Sequence, residues 1–237
     1  MMTPSARRVR ASVPVNAAPG RIRRLPALAT IAVIGVVAVA VLGFGITGFG
    51  LLSSFDRSVS RSLNELHTGM LGGLATGIYS VLSPVFAVVI TAVIAAIILA
   101  ATRRIRIAIT FAVVVAVTWL PSAAMKILVH RARPDITTLA HPFAHQPVDG
   151  SYPSGHLVYV AAVVVTFALL ARPGAWRGFA LVAGAILCIL VGVALVVDGV
   201  HYPTDVFASA LWSVTIAPLV FALCARVLLQ RGTLRTT

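Results

Sequence analysis

Charge is what this sequence has least of. Only 11% of its 237 residues are Asp, Glu, Lys or Arg, with six carboxylates in all, while 59% are hydrophobic. A soluble chain of this length would need polar helix faces to meet water. Instead Ala27 to Phe49, Val85 to Ala101, Ile107 to Met125, Leu157 to Leu170, Phe179 to Val197 and Val206 to Leu228 are apolar all round. Most of these runs approach the ~20 residues that cross a ~30 Å hydrocarbon core, and the fourth, the shortest, extends a little to either side. A soluble fold is excluded. The expectation is an all-α, polytopic membrane protein: a bundle of six transmembrane helices with the N- and C-termini cytoplasmic.

Other absences narrow the function. Cysteine is limited to Cys188 and Cys224, both inside predicted spans and without a Cys or His at metal-ligand spacing, so they read as small buried hydrophobes. No charged side chain falls at mid-span and no paired broken helices are evident, which argues against a transporter. No internal repeat is apparent. The first apolar run is of spanning length and lacks a small-residue cleavage site, so it is expected to stay as the first helix. Glycines 43, 45, 48 and 50 near its end serve either close packing or a loosened terminus.

The charge that is present is overwhelmingly positive, +13 net. In a membrane protein the positive-inside rule accounts for this better than nucleic acid binding. With a cytoplasmic N-terminus, fourteen of the nineteen basic residues fall inside; Arg57, Arg61, Lys126, Arg131 and Arg133 remain outside. The same topology puts all six carboxylates and all six histidines on the outer face. The predicted organisation is a disordered basic cytoplasmic tail (1–25), a six-helix membrane domain (26–228) and a short cytoplasmic tail (229–237). Within the domain, an amphipathic interfacial helix is expected over about 56–80 and an outer loop over about 131–155.

Three polar clusters lie beside apolar runs, and all three belong to that outer face. In Lys126 to Pro134 (KILVHRARP), Lys126, His130, Arg131 and Arg133 gather cations where the chain leaves the membrane. Arginine's planar fork and lysine's mobile point charge suit phosphate oxygens. In Pro153 to His156 (PSGH), a tight turn at Ser154 and Gly155 feeds a helix N-terminus, whose free N–H groups favour an anion, with His156 beside them as a proton donor. In His201 to Asp205 (HYPTD), the four-residue spacing and Pro203 at a helix start let Asp205 orient His201. Spacing alone leaves open which histidine is nucleophile and which is acid.

These clusters, in this order, resemble the type 2 phosphatidic acid phosphatase (PAP2) family of membrane lipid phosphatases, whose pattern is K-x6-R-P, then P-S-G-H, then S-R-x5-H-x3-D. Lys126 with Arg133 and Pro134, the complete PSGH run, and His201 with Asp205 carry the likeness, over roughly residues 55 to 228. It implies a metal-independent phosphatase without a cofactor, in which His201 is the nucleophile that becomes a phosphohistidine, Asp205 orients it and His156 is the general acid. Lys126, Arg133, Ser154 and Gly155 would hold phosphate oxygens. The third motif departs from the pattern, with Ala194 and Leu195 in place of Ser and Arg. Arg131 is the candidate for the missing cation.

The implied substrate is a lipid phosphate or diphosphate of the polyprenyl diphosphate, phosphatidate or phosphatidylglycerol phosphate type, drawn from membrane lipids rather than nucleic acid. The alternative is a catalytically weak relative that binds lipid phosphate or supports a membrane complex. Asp198, three residues before His201, is expected to pair with Arg131 or meet a sugar hydroxyl. The loop with Asp135, His141, His145, Gln146 and Asp149 is the candidate for head-group selection; His141 and His145 also raise a weaker zinc reading. The abundance of Arg, Ala and Val hints at a GC-rich bacterial genome, and the expected location is the plasma membrane with the site extracytoplasmic.

Overall fold

The computed structural model describes residues 24–171 and 173–229, and all regular structure among them is helical. The expected terminal tails lie almost wholly outside the described residues. Nine α-helices run in order: α1 Leu25–Phe49, α2 Ser53–Asn64, α3 Gly69–Val81, α4 Pro84–Thr102, α5 Ile105–Trp119, α6 Ser122–Val129, α7 Gly155–Leu170, α8 Ala175–Val197 and α9 Pro203–Cys224. A π turn, Ala225–Leu229, extends the last. Proline starts α4 and α9, where its missing N–H has no intrahelical partner to lose.

Among the described residues, five segments are long and apolar enough to cross a membrane: Leu25–Phe49, Pro84–Thr102, Ile105–Val129, Ala175–Val197 and Pro203–Leu229. The expected fourth span is α7, which has only 16 residues and falls short of that length. Its first half is almost entirely buried among neighbouring helices. The expected third span is broken near Pro121 into α5 and α6, because proline has no N–H for the helical ladder. The break sets Lys126 on a separate short helix.

The segment read as one interfacial helix over 56–80 is two helices, α2 and α3, reversing through Glu65–Thr68. Gly72 permits this turn: a Cβ there would lie 2.9 Å from the His67 carbonyl carbon. The polarity of α2 is also the reverse of an ordinary interfacial helix. Its buried stripe is Asp56, Ser60 and Asn64, one turn apart, while Phe55 is exposed. α3 packs against α8.

Helix α9 is the hub, packing against α1, α5 and α7, and α7 also meets α5 and α8. One core cluster joins Phe111 and Val115 of α5, Leu157, Tyr159 and Val160 of α7, and Val191 and Leu195 of α8. Lipid is as apolar as leucine, so close approach and internal hydrogen bonds must hold such a bundle. At Gly35 a Cβ would come within 2.2 Å of the Thr215 side chain of α9. Gly43 likewise admits Tyr152 and Val129, so it serves packing, whereas nothing stands near Gly48. Across the interfaces Trp212 Nε1 donates to Thr118 O (2.8 Å), Tyr152 Oη to Val39 O (2.6 Å) and Ser213 Oγ to Val158 O (3.0 Å).

Candidate active site

The three clusters meet at one end of the bundle, around the N-termini of α7 and α9 and the C-terminus of α6. Ser154 is the N-cap of α7, its hydroxyl accepting from the Leu157 N–H, and Ser209 of α9 donates to its carbonyl at 3.0 Å. Gly155 and His156 therefore occupy the first turn, where backbone N–H groups lack helical acceptors. A Cβ on Gly155 would lie 3.9 Å from Lys126 Cε, so the lysine stem runs past this helix start. The cation and the anion-favouring helix end converge.

His201 sits in the turn between α8 and α9 and is 1% exposed. The turn uses Gly199 in the left-handed region (φ 70°), where a Cβ would also strike Leu139 Cδ1 at 2.5 Å. The rings of His156 and His201 face each other edge to face with centroids 6.4 Å apart. At this separation the two rings are close to edge-to-face contact, so both imidazoles belong to one site. His156 is backed by the Tyr79 ring at 4.5 Å, itself against Phe143 at 4.9 Å. Its Nε2 is buried without a hydrogen-bond partner.

His201 Nδ1 lies 3.5 Å from Asp205 Oδ2, longer than an ordinary hydrogen bond. Asp205 Oδ2 accepts instead from the Tyr202 N–H at 2.8 Å. His201 Nε2 faces Arg133 Nη1 at 3.5 Å, a contact that favours the tautomer with its proton on Nδ1 and a lone pair on Nε2. Burial first, and then the nearby charges of Arg133 and Lys126, pull the His201 pKa down to about 4, against the opposing pull of Asp205. The ring is neutral at pH 7.

Arg131 is placed differently from the sequence expectation. Its guanidinium is turned to two carboxylates instead: Nη2 donates to Asp56 Oδ2 at 2.6 Å, and Nη1 donates to Asp205 Oδ1 at 2.5 Å and Thr204 Oγ1 at 2.7 Å. The Tyr202 ring covers its Cζ at 4.1 Å. Asp56 also accepts from the Thr204 N–H and hydroxyl. This buried carboxylate–guanidinium–carboxylate bridge holds Asp205 from the side away from His201. Asp205 is the stronger competitor for Arg131 because its carboxylate is buried at the start of α9 and needs a cation.

Leu195, where the resembled pattern has Arg, is fully buried in the core against Leu157 and Val200, the chain neighbours of the two histidines. Asp198 pairs with neither Arg131 nor open space. It meets His67 Nε2 at 2.9 Å and the Thr76 hydroxyl at 2.8 Å, with its pKa raised by burial against those two contacts. Asn64 clamps the outer loop nearby, exchanging hydrogen bonds with His141 N and O at 2.8 and 2.9 Å and donating to Val197 O. His145 stacks edge-on to Phe143, so it and His141 make separate contacts, and His130 is exposed at the end of α6. Among the described residues no three His, Cys, Asp or Glu side chains converge as metal ligands would.

Lys126 and Arg133 do come together, through Asp149. Lys126 Nζ donates to Asp149 Oδ2 at 2.6 Å and Arg133 Nη2 to Asp149 Oδ1 at 2.6 Å. The sequence reading places Asp149 only in a head-group loop, counts Asp56 only among the six outer carboxylates and leaves out Asn64. The four-residue spacing of Asp56, Ser60 and Asn64 was the available signal, a polar stripe with helical period.

A family model described as the PAP2 superfamily matches residues 105–227, which hold all three clusters. A lipid A 1-phosphatase from Rhizobium johnstonii is 35% identical over 108 residues, 42% of this chain and 42% of that protein. The chain thus matches less than half the length of this relative. Among solved structures, a transmembrane PAP2 type phosphatidylglycerolphosphate phosphatase from Bacillus subtilis superposes with a TM-score of 0.66 at 21% identity, over 87% of this chain and 98% of that one. The fold is shared.

Proposed function

The chain belongs to the PAP2 superfamily, and from that premise we propose that it is a membrane phosphatase acting on a lipid phosphate or diphosphate through a phosphohistidine. The observation that carries the reading is the pair of neighbouring histidines, ring centroids 6.4 Å apart, one buried beside Asp205 and the other at a helix start beside Lys126. His201 Nε2 attacks phosphorus, the bond to the lipid oxygen breaks, and His156 donates a proton to that leaving oxygen. Water then attacks the phosphohistidine, giving a proton to His156 and releasing phosphate from His201. Lys126, Arg133 and the N–H groups of the α7 start, at Ser154 and Gly155, stabilise the phosphoryl oxygens. No step needs a metal or cofactor.

The six-span arrangement with cytoplasmic termini belongs to the same proposal, in the plasma membrane with the site on the extracytoplasmic face. The inside clustering of fourteen of nineteen basic residues supports it. The burial of Leu195 favours a second reading, a weak or inactive relative that binds lipid phosphate, because one cation of the resembled pattern is absent. Phosphate release by the detergent-solubilised protein decides between them, measured with EDTA on polyprenyl diphosphate, phosphatidate and phosphatidylglycerol phosphate. Release that His201→Ala abolishes supports the phosphatase. Equal silence of both proteins on all three lipids rejects it.

A further inference from the structure

Asp149 meets the two cations as a phosphate would, one oxygen on each, at 2.6 Å and 2.6 Å. The same stretch takes further donors: Gly150 O accepts from Lys126 Nζ at 2.9 Å and Asp149 O from Arg133 Nε at 3.1 Å. Burial opposes ionisation, but the hydrogen bonds from Lys126 and Arg133 bring the Asp149 pKa down to about 2, so the carboxylate is charged at any working pH. Unlike the fully buried Asp56 and Asp205, the Asp149 side chain is 52% exposed. It borders an open cavity of about 420 Å³ between Arg131–Ile136 and Gln146–Gly150. It is therefore the one carboxylate of the site with room to leave.

We propose that Asp149 is a resident anion of the phosphate subsite, which substrate must displace. The inference rests on Lys126 and Arg133 being phosphate ligands, as in the function proposed above. A phosphate monoester dianion offers two charged oxygens against the two that Asp149 withdraws. A singly charged diester meets the same displacement cost with less charge to offer. The free site stays electrically satisfied, because two cations gathered beside a helix N-terminus would otherwise repel one another.

The test is titration of inorganic phosphate, and of dimethyl phosphate as the monoanion, into the full-length protein in detergent micelles at constant ionic strength, followed by calorimetry. Asp149→Ala and Asp149→Asn are compared with wild type, and Lys126→Ala locates the site. The expected result is phosphate binding tighter by roughly three- to thirtyfold in both Asp149 variants, with the preference for phosphate over dimethyl phosphate unchanged because both displace the same carboxylate. Unchanged or weaker binding in the Asp149 variants overturns the proposal and makes Asp149 a residue that orients the cations. Because the readout is binding, it is independent of turnover: tighter binding in a protein without phosphatase activity upholds the resident anion and rejects only the catalytic reading. If no variant binds phosphate, both fall.

Discussion

Replacing Arg131 with Met removes the cation shared by two carboxylates that are both fully buried, Asp56 and Asp205; Arg131 itself is only 6% exposed. Breaking a buried ion pair by deleting one partner typically costs about 3–5 kcal/mol, because the remaining charge has neither water nor partner. Here two charges are stranded, so the upper part of that range is expected, or a fall of roughly 10 °C or more in melting temperature for a chain of this size. The Asp56→Asn/Arg131→Met double variant strands one carboxylate instead of two, and should be less destabilised than Arg131→Met alone. Kinetically, Asp205 loses the bond that fixes it beside His201, so kcat falls about a hundredfold or more while KM moves little. Thermal melts in detergent and steady-state rates on a short-chain phosphatidate measure both. A normal melt combined with a loss confined to KM would refute this account and return Arg131 to the phosphate subsite.

Gly199→Ala places a Cβ against Leu139 in a left-handed turn, and should cost about 1–2 kcal/mol from backbone conformation alone while lowering kcat through His201; an unaltered rate would show that the turn does not set the ring. Gly35→Leu overfills the α1–α9 contact and is expected to lose about 1–3 kcal/mol in the same melts, with KM unaffected. Leu195→Arg sets a guanidinium beneath the two histidines; turnover should rise by roughly tenfold or more if one oxyanion contact is regained, at the expense of melting temperature. For pH, the folded pKa of His201 is about 4 against an ordinary 6.5, so the unfolded chain binds the extra proton between those values. Stability contributed by neutral His201 is complete above pH 6.5 and is lost as pH falls toward 4. The slope of melting temperature over that window should flatten in His201→Asn.

How much was legible beforehand differs from residue to residue. The apolar runs located α1, α4, α8 and α9 closely, because lipid leaves a helix no choice but to satisfy its own backbone and show apolar side chains outward. The break after Trp119 was signalled by Pro121 and passed over within a continuous apolar run. The division of 56–80 into α2 and α3 was not legible, since it depends on His67 packing over Gly72. Asp56 looked like one outer carboxylate among six.

The sequence by itself determined that this is a helical membrane protein and the family to which the chain belongs. Those follow from composition and from local spacing, which short-range physics controls. Only the tertiary structure decided the partners of the charges: Arg131 on Asp56 and Asp205, Asp198 on His67 and Thr76, and Asp149 across Lys126 and Arg133. Apart from the last pair, these contacts join residues far apart in the chain. A charge withdrawn from water takes whichever opposite charge the packed helices bring within reach, and that choice is made by the bundle as a whole.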